Sequence, residues 1–282
     1  IYEIADRLTI LRNGAFVSTG TIDEYDSARF TRDMTGHEVS SEKYTPAESN
    51  EEVLRVENLT LKGAFEDVSF SMKKGDIFGI TGLLGSGRSE IGEAIFGITP
   101  PDSGKIILNG KNVTIHSVAD AIENKIAYVP EDRLTEGLFI EKSIEKNMMA
   151  SSLRKYFKGM KLDEKAMREA SDDLVKELGV VTPSSQVPVR TLSGGNAQKV
   201  VIAKWLNTHP KLFILNGPTV GVDIGAKTEI HELLRKLAAQ GMAIVIISDD
   251  LSELITNCNK IMVMKNGKAS GITDNNIDNI KL

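Results

Sequence analysis

The sequence predicts an α/β fold: a parallel sheet covered by helices, with an antiparallel β subdomain ahead of it and a helical subdomain inserted into it. Three observations carry that expectation. Short apolar runs, Ile77 to Thr81, Lys211 to Leu215 and Ala243 to Ile247, alternate with stretches of helical spacing such as Thr228 to Ala239. Strands buried on both faces read as unbroken apolar runs, and alternation with helices is how a parallel sheet has both faces covered. Ahead of the first run, Val53 to Leu59 and Val68 to Met72 alternate apolar and polar residues, and Lys73-Lys74-Gly75-Asp76 supplies a turn. That period belongs to half-buried strands. From about Glu141 to Gly179 strand signal gives way to helical spacing, with Met167, Ala170, Leu174 and Leu178 recurring on one face.

Bulk properties narrow the function classes. At 282 residues, 41% hydrophobic and 26% charged, the chain can form one large globular domain plus an appendage. A net charge of -5 lacks the basic footprint of phosphate-backbone binding, so nucleic acid is set aside as a partner. Cys258 is the single cysteine; no disulfide can form within the chain, and a reducing cytoplasm is the expected compartment. The longest apolar stretch, near Ala243 to Ile247, falls far short of the roughly 20 residues of a membrane span.

The two ends of the chain resemble each other. Asp6-Arg7-Leu8-Thr9-Ile10-Leu11-Arg12-Asn13-Gly14 aligns with Asn259-Lys260-Ile261-Met262-Val263-Met264-Lys265-Asn266-Gly267 position for position. Each copy is an apolar strand running into Asn-Gly, a strong hairpin signal. The repeat predicts a tandem protein in which residues 1–39 are the tail of a preceding domain. Residues 40–52, polar and including Pro46, read as a linker. Residues 53–282 are then the main domain.

Gly82-Leu83-Leu84-Gly85-Ser86-Gly87-Arg88-Ser89 follows the first buried run directly. Its spacing is that of a phosphate-binding loop, with Arg88 where Lys is usual. Glycines let backbone N–H groups wrap a phosphate, the next helix N-terminus adds partial positive charge, and Ser89 offers an oxygen to Mg²⁺. The guanidinium of Arg88 is bulkier and forked, which shifts its placement over the phosphates. Taken alone, the string also fits a glycine turn without a ligand. Leu192-Ser193-Gly194-Gly195-Asn196-Ala197-Gln198-Lys199 is more specific: Ser193, Gly194, Gly195 and Asn196 open a second helix with bare backbone able to approach a γ-phosphate.

That pair of motifs identifies the chain as a member of the ABC ATPase superfamily, within the phosphate-loop NTPase class. More closely, it resembles the tandem ATPase subunits of bacterial ribose, galactose and xylose importers. The resemblance rests on Arg88 in the phosphate loop, on Tyr128-Val129-Pro130-Glu131-Asp132-Arg133 followed by Glu136-Gly137-Leu138, and on Gly221 to Lys227. Ile4 to Gly14 with Met34-Thr35-Gly36 is similar to the end of that family's first domain.

The resemblance implies ATP and Mg²⁺ as cofactors. Gly82, Gly85, Ser86, Gly87, Arg88, Ser89 and Glu90 would meet the nucleotide. Glu131 would stand where many relatives carry a Gln that senses Mg²⁺ and the membrane partner, though its residues also fit an ordinary exposed turn. Ser193 to Asn196 would serve the ATP of the opposite domain. The implied partners are the first nucleotide-binding domain of the same subunit, transmembrane permease subunits and, indirectly, a substrate-binding protein. The implied location is the cytoplasmic face of the bacterial inner membrane, and the implied direction is uptake. Phe65 is a candidate to stack on adenine or, equally, a core residue. A nucleoside importer, an ABC ATPase without transport, and a scaffold without nucleotide are the competing readings.

Departures from the family pattern bear on catalysis. The strand Leu212 to Leu215 should run into Asp-Glu-Pro-Thr, whereas the sequence continues Asn216-Gly217-Pro218-Thr219. Asn216 offers Mg²⁺ an oxygen without charge, and Gly217 has no side chain to polarise water. After Ile247 Asp249 stands at the place of the switch His, and its charge opposes a γ-phosphate; the second domains of the resembling family often lack this His too, so Asp249 weighs less than Gly217. The expectation is a site impaired for hydrolysis; the alternative is an engineered or natural variant of an otherwise active domain. His37, His116, His209 and His231 show no metal-ligand spacing, and Trp205 is expected to pack.

Overall fold

The computed structural model describes residues 1–12, 14–36 and 43–274. Asn13, residues 37–42, which include His37 and residues 40–42 of the expected linker, and 275–282 lie outside the described residues. β1 (Arg7–Arg12) and β2 (Ala15–Thr21) form a hairpin, followed by α1 (Ser27–Thr35). Next come β3 (Glu52–Leu61), β4 (Phe65–Lys73), β5 (Ile77–Gly82), α2 (Arg88–Phe96), β6 (Ser103–Leu108), β7 (Lys111–Val113), α3 (Val118–Glu123) and β8 (Ile126–Val129). α4 (Ile144–Met149), the short strands β9 (Phe157–Lys158) and β10 (Lys161–Leu162), and α5 (Glu164–Glu177) lead to α6 (Gly194–Leu206). The chain ends with β11 (Leu212–Asn216), α7 (Ile224–Ala239), β12 (Ala243–Ile247), α8 (Leu251–Asn257), β13 (Lys260–Lys265) and β14 (Lys268–Asp274).

Two larger sheets form the body. One has the order β14-β13-β5-β12-β11-β8, parallel throughout except for β14. β5, β11 and β12 are buried along their whole length, as their unbroken apolar runs require. The second sheet is antiparallel, in the order β4-β3-β6-β7; β4 alternates buried and exposed residues, so one face stays wet. Phe70 of β4 stacks on Phe78 of β5 with ring centroids 4.8 Å apart, which joins the two sheets. Phe96 stacks on Tyr128 at 5.4 Å and meets the edge of Trp205 at 5.2 Å. Trp205 therefore packs α6 against α2 and β8. Each such fully buried ring contributes about 1.5–3 kcal/mol.

The terminal repeat carries into three dimensions. β1–β2 and β13–β14 are both antiparallel hairpins, and their registers slip at matching places, between Ile10 and Leu11 and between Val263 and Met264. Two boundaries differ from the sequence expectation. α7 begins at Ile224 rather than Thr228, because the Asp223 carboxylate caps it by accepting from the Ala226 backbone N–H at 2.9 Å. The inserted helical segment also contains the β9–β10 hairpin, turning through Gly159 at φ +64°. Strands of two residues are too short to show alternation.

Candidate nucleotide site

Four segments leave the carboxyl ends of adjacent parallel strands, the edge where open α/β sheets place their ligands. β5 runs into Gly82 to Ser89, β8 into Pro130-Glu131, β11 into Asn216-Gly217, and β12 into Ser248-Asp249. The register Ile80↔Ile247 and Ile247↔Asn216 fixes their relative heights. The residues expected around the phosphates and Mg²⁺ of this chain's own loop are thus brought to one rim, whereas Phe65, at the start of β4, is not on it.

At the phosphate loop, Gly87 precedes α2 with φ +91°, and a Cβ there would sit 2.5 Å from the Ala64 carbonyl oxygen. Only glycine fits that turn. The turn aims the free N–H groups and positive end of α2 into the loop. The Ser86 hydroxyl is buried inside the loop without a hydrogen-bond partner among the described residues. A donor in that position suits an anion held by surrounding amides.

Arg88 is 93% buried. Its Nη1 donates to the Gly82 carbonyl, and its Nη2 lies 3.5 Å from Asp249 Oδ2. The side chain thus folds back across its own loop toward the end of β12. Sequence reasoning singled out Arg88 and Asp249 separately and missed their pairing. They are 161 positions apart by their numbers, and no local pattern signals it.

The positions expected to hold Mg²⁺ are adjacent: Ser89 Oγ donates to Asn216 Oδ1 at 3.4 Å, and Asn216 Nδ2 donates to the Tyr128 hydroxyl at 3.4 Å. Burial, foremost, holds the Tyr128 hydroxyl above its ordinary pKa, so it stays protonated and neutral. These two oxygens are neutral and offer a hard cation no charge. Gly217 adopts φ +58°, and a Cβ there would lie 2.9 Å from Val220 Cγ2 and 3.2 Å from Glu131 Cγ. This backbone leaves little room for the side chain that the family pattern expects.

Beside these residues lies a cleft of ≈ 450 Å³, lined by Ser89, Glu93, Glu131 and Asn216 among others. Burial pushes the Glu93 carboxyl up, and the charges of Glu90 and Glu136 add to the shift. Arg133 ties this side together by donating to the carbonyls of Val220 at 2.5 Å and Gly221 at 2.9 Å. Phe65 is 3% exposed and belongs to the core, at the edge of a second cleft of ≈ 520 Å³ shared with Gly85, Asn266 and Gly267. Its ring is a packing element, which favours the core alternative for this residue.

A buried carboxylate that sequence reasoning missed links two of the four segments. Glu253 accepts from the hydroxyls of Thr219 and Ser248, each at 2.7 Å, and His231 Nε2 lies 2.7 Å away. Burial alone would raise the Glu253 carboxyl; the His231 hydrogen bond and charge, with both hydroxyls, bring it below its ordinary value. Cys258 is fully buried and its thiol is pushed up by that burial, so it is unreactive as a nucleophile.

The second motif stands elsewhere. Ser193 caps α6, its Oγ accepting from the Asn196 backbone N–H at 3.5 Å and also from Asn196 Nδ2 at 2.9 Å, while Asn196 Oδ1 accepts from the Val181 N–H at 2.8 Å. Ser193, Gly195 and Asn196 line a cleft of ≈ 280 Å³ together with Arg12 and Met34 of the N-terminal segment. No phosphate-loop residue lines that cleft, so the structure does not bring the two motifs together within one chain.

The family model of the ABC transporter matches residues 65–220, the span that holds the phosphate loop, the Glu131 segment, the signature and Asn216-Gly217. The chain belongs to the ABC transporter family. It is 42% identical, over 96% of its length, to the ribose import ATP-binding protein of Bacillus cereus, and covers 55% of that protein. A protein of Rhizobium etli provisionally named a ribose/galactose/methyl galactoside import ATP-binding protein is 41% identical over 96% of this chain, which covers 52% of it. The chain spans about half the length of the curated relatives it matches. Among solved structures, a nucleotide-free ATP-binding cassette from an ABC transporter superposes with TM-score 0.69 at 25% identity, covering 79% of this chain and 91% of that one. ABC ATPase domains bind ATP, generally with Mg²⁺. The loop amides, the Ser86 hydroxyl and Arg88 suit the phosphates, while Asn216 and Gly217 give Mg²⁺ no carboxylate. No described helix of this ABC protein is long and apolar enough to cross a membrane.

Proposed function

We propose that this chain is the second ATP-binding cassette of the ATP-binding subunit of a bacterial sugar importer of the ribose and galactose type. In this reading residues 1–39 close a preceding cassette, 40–52 link the two, and 53–282 form the cassette proper. The subunit sits on the cytoplasmic face of the inner membrane, docks on permease subunits and serves a substrate-binding protein. The named relatives support the importer reading over a nucleoside importer or an ABC ATPase without transport.

One observation carries the assignment of two unlike sites. The hairpin β13–β14 presents Asn266 and Gly267 to a cleft shared with Gly85 of the phosphate loop. Its counterpart β1–β2 presents Arg12 to the cleft of Ser193 and Asn196. If β1–β2 belongs to a preceding cassette, that cassette's phosphate loop faces this chain's signature, head to tail. Ser193 to Asn196 then complete the partner's ATP site. This chain's own loop holds nucleotide between Gly82 to Glu90 and Glu131, with Ser89 and Asn216 as weak Mg²⁺ ligands. Bound Mg²⁺ would neutralise phosphate charge there. With Gly217 supplying no base to orient water, hydrolysis at this loop is slow.

The test is Ser193→Arg in the tandem polypeptide that this reading implies, assembled with its permease. ATP hydrolysis is expected to fall about a hundredfold, the scale of losing a transition-state donor. Unchanged turnover would refute the assignment of Ser193 to the partner's site, and failure to co-purify with a polytopic membrane protein would refute the importer reading.

A further inference from the structure

We infer that the nucleotide site of this chain selects a nucleoside diphosphate over the triphosphate, and that Asp249, through its pairing with Arg88, is the residue that selects. The inference rests on the reading of Gly82 to Ser89 as a nucleotide site and adds which phosphate chain it takes.

The charges are arranged for it. Arg88 fills the place from which a phosphate-loop cation reaches the β- and γ-phosphates. One nitrogen of its guanidinium is committed to the Gly82 carbonyl, and the other faces the Asp249 carboxylate at 3.5 Å. The Ser86 N–H is used within the loop, donating to the Leu83 carbonyl at 3.0 Å, while the N-terminus of α2 and the Ser86 hydroxyl, without a partner among the described residues, stay available to a β-phosphate. A γ-phosphate reaching the Arg88 fork meets Asp249 on the same cation. It either displaces that carboxylate and loses the ion pair, or shares Arg88 with a like charge. With or without Mg²⁺, a triphosphate carries one more negative charge than the diphosphate. Neither Asn216 nor Gly217 supplies a carboxylate that would hold Mg²⁺ to offset it.

Asp249 is also held in place by its neighbours. Ser248 Oγ donates to the buried Glu253 carboxylate at 2.7 Å and accepts from the Asp250 N–H at 3.1 Å. Asp250 caps α8, accepting from the Glu253 N–H at 3.1 Å, and pairs with Lys227 at 2.5 Å. The selecting carboxylate therefore sits between two anchored residues and has little freedom to retreat with its backbone. Its side chain is 74% exposed, so water screens it and the expected discrimination is modest and salt-dependent: about five- to tenfold at low ionic strength.

Calorimetric titration of ADP and of ATP into the 282-residue chain, with Mg²⁺ and with EDTA, tests this. The wild-type chain should bind ADP about fivefold or more tightly than ATP, with the ratio shrinking in 0.5 M NaCl by the screening argument above. Asp249→Asn should tighten ATP until the ratio approaches unity, with ADP affinity changed less than about twofold. Asp249→Ser serves as a second variant, and thermal melting confirms that each folds. Equal or tighter binding of ATP by the wild type, or a ratio that Asp249→Asn leaves unchanged, overturns the selection and leaves the nucleotide site standing. Binding of neither nucleotide overturns both.

Discussion

The rim that carries the phosphate loop and the helix end that carries the signature differ in the side chains each presents. At the signature, Ser193 and Asn196 retain both the side chains and the cap that presents them. On the rim Gly87 turns for α2 and the strand ends lie in register, while the side chains at the ends of β11 and β12 are those of Asn216 and Asp249, with Gly217 between the strands bearing none. The contrast teaches that the cradle does not depend on the catalytic groups. Strand ends and glycine turns come from core packing, so the shape does not require carboxylates at Asn216 and Gly217.

Breaking the cradle itself should have the largest effect. Gly87→Val forces a branched side chain into φ +91° and against the Ala64 carbonyl; nucleotide affinity should fall by about a hundredfold or more, read by calorimetry. The equivalent insult at the signature, Ser193→Arg, should leave nucleotide binding by the chain alone unchanged. Next comes the anchor of the rim. Glu253→Ala strands the hydroxyls of Thr219 and Ser248 in the interior, and urea denaturation should show a loss of about 2–4 kcal/mol.

The same carboxylate gives a pH signature with a defined sign. Its folded pKa lies below its ordinary 4.5, so its stabilisation is complete above that value and is lost as pH falls through the lower folded value. Stability curves of wild type and Glu253→Gln should therefore converge in the acid limb below about pH 4.5. Parallel curves there would mean that the His231 contact does not hold the ionised form.

Smaller effects sharpen the comparison. Gly217→Glu should cost about 1–2 kcal/mol for its left-handed backbone, and hydrolysis should not rise, because the new side chain meets Val220 and Glu131. Asn216→Asp should make nucleotide binding depend more on Mg²⁺, by about fivefold between Mg²⁺ and EDTA, since a charged oxygen then joins Ser89.

The sequence made legible whatever rests on periodicity or on a contiguous string. The buried runs of β5, β11 and β12, the glycine loop, the signature cap and the terminal hairpins all show in short windows. Hidden were the links made by folding: Arg88 to Asp249, Arg133 to the carbonyls of Val220 and Gly221, and Glu253 to Thr219, Ser248 and His231. Each joins side chains from different strand ends, and their register is set by the sheet rather than by any local spacing. The left-handed backbone of Gly217 was hidden for a related reason. Its loss of a side chain was plain in the sequence, and the limited room for one became visible only beside Val220 and Glu131.

In the proposed function this rim holds nucleotide and hydrolyses it slowly. MgATP titrated into the chain by calorimetry, followed by recovery of the bound nucleotide after an hour at 25 °C, addresses it directly. Micromolar binding and nucleotide recovered as ATP are expected. No binding at millimolar ATP, or recovery as ADP and phosphate, would contradict it.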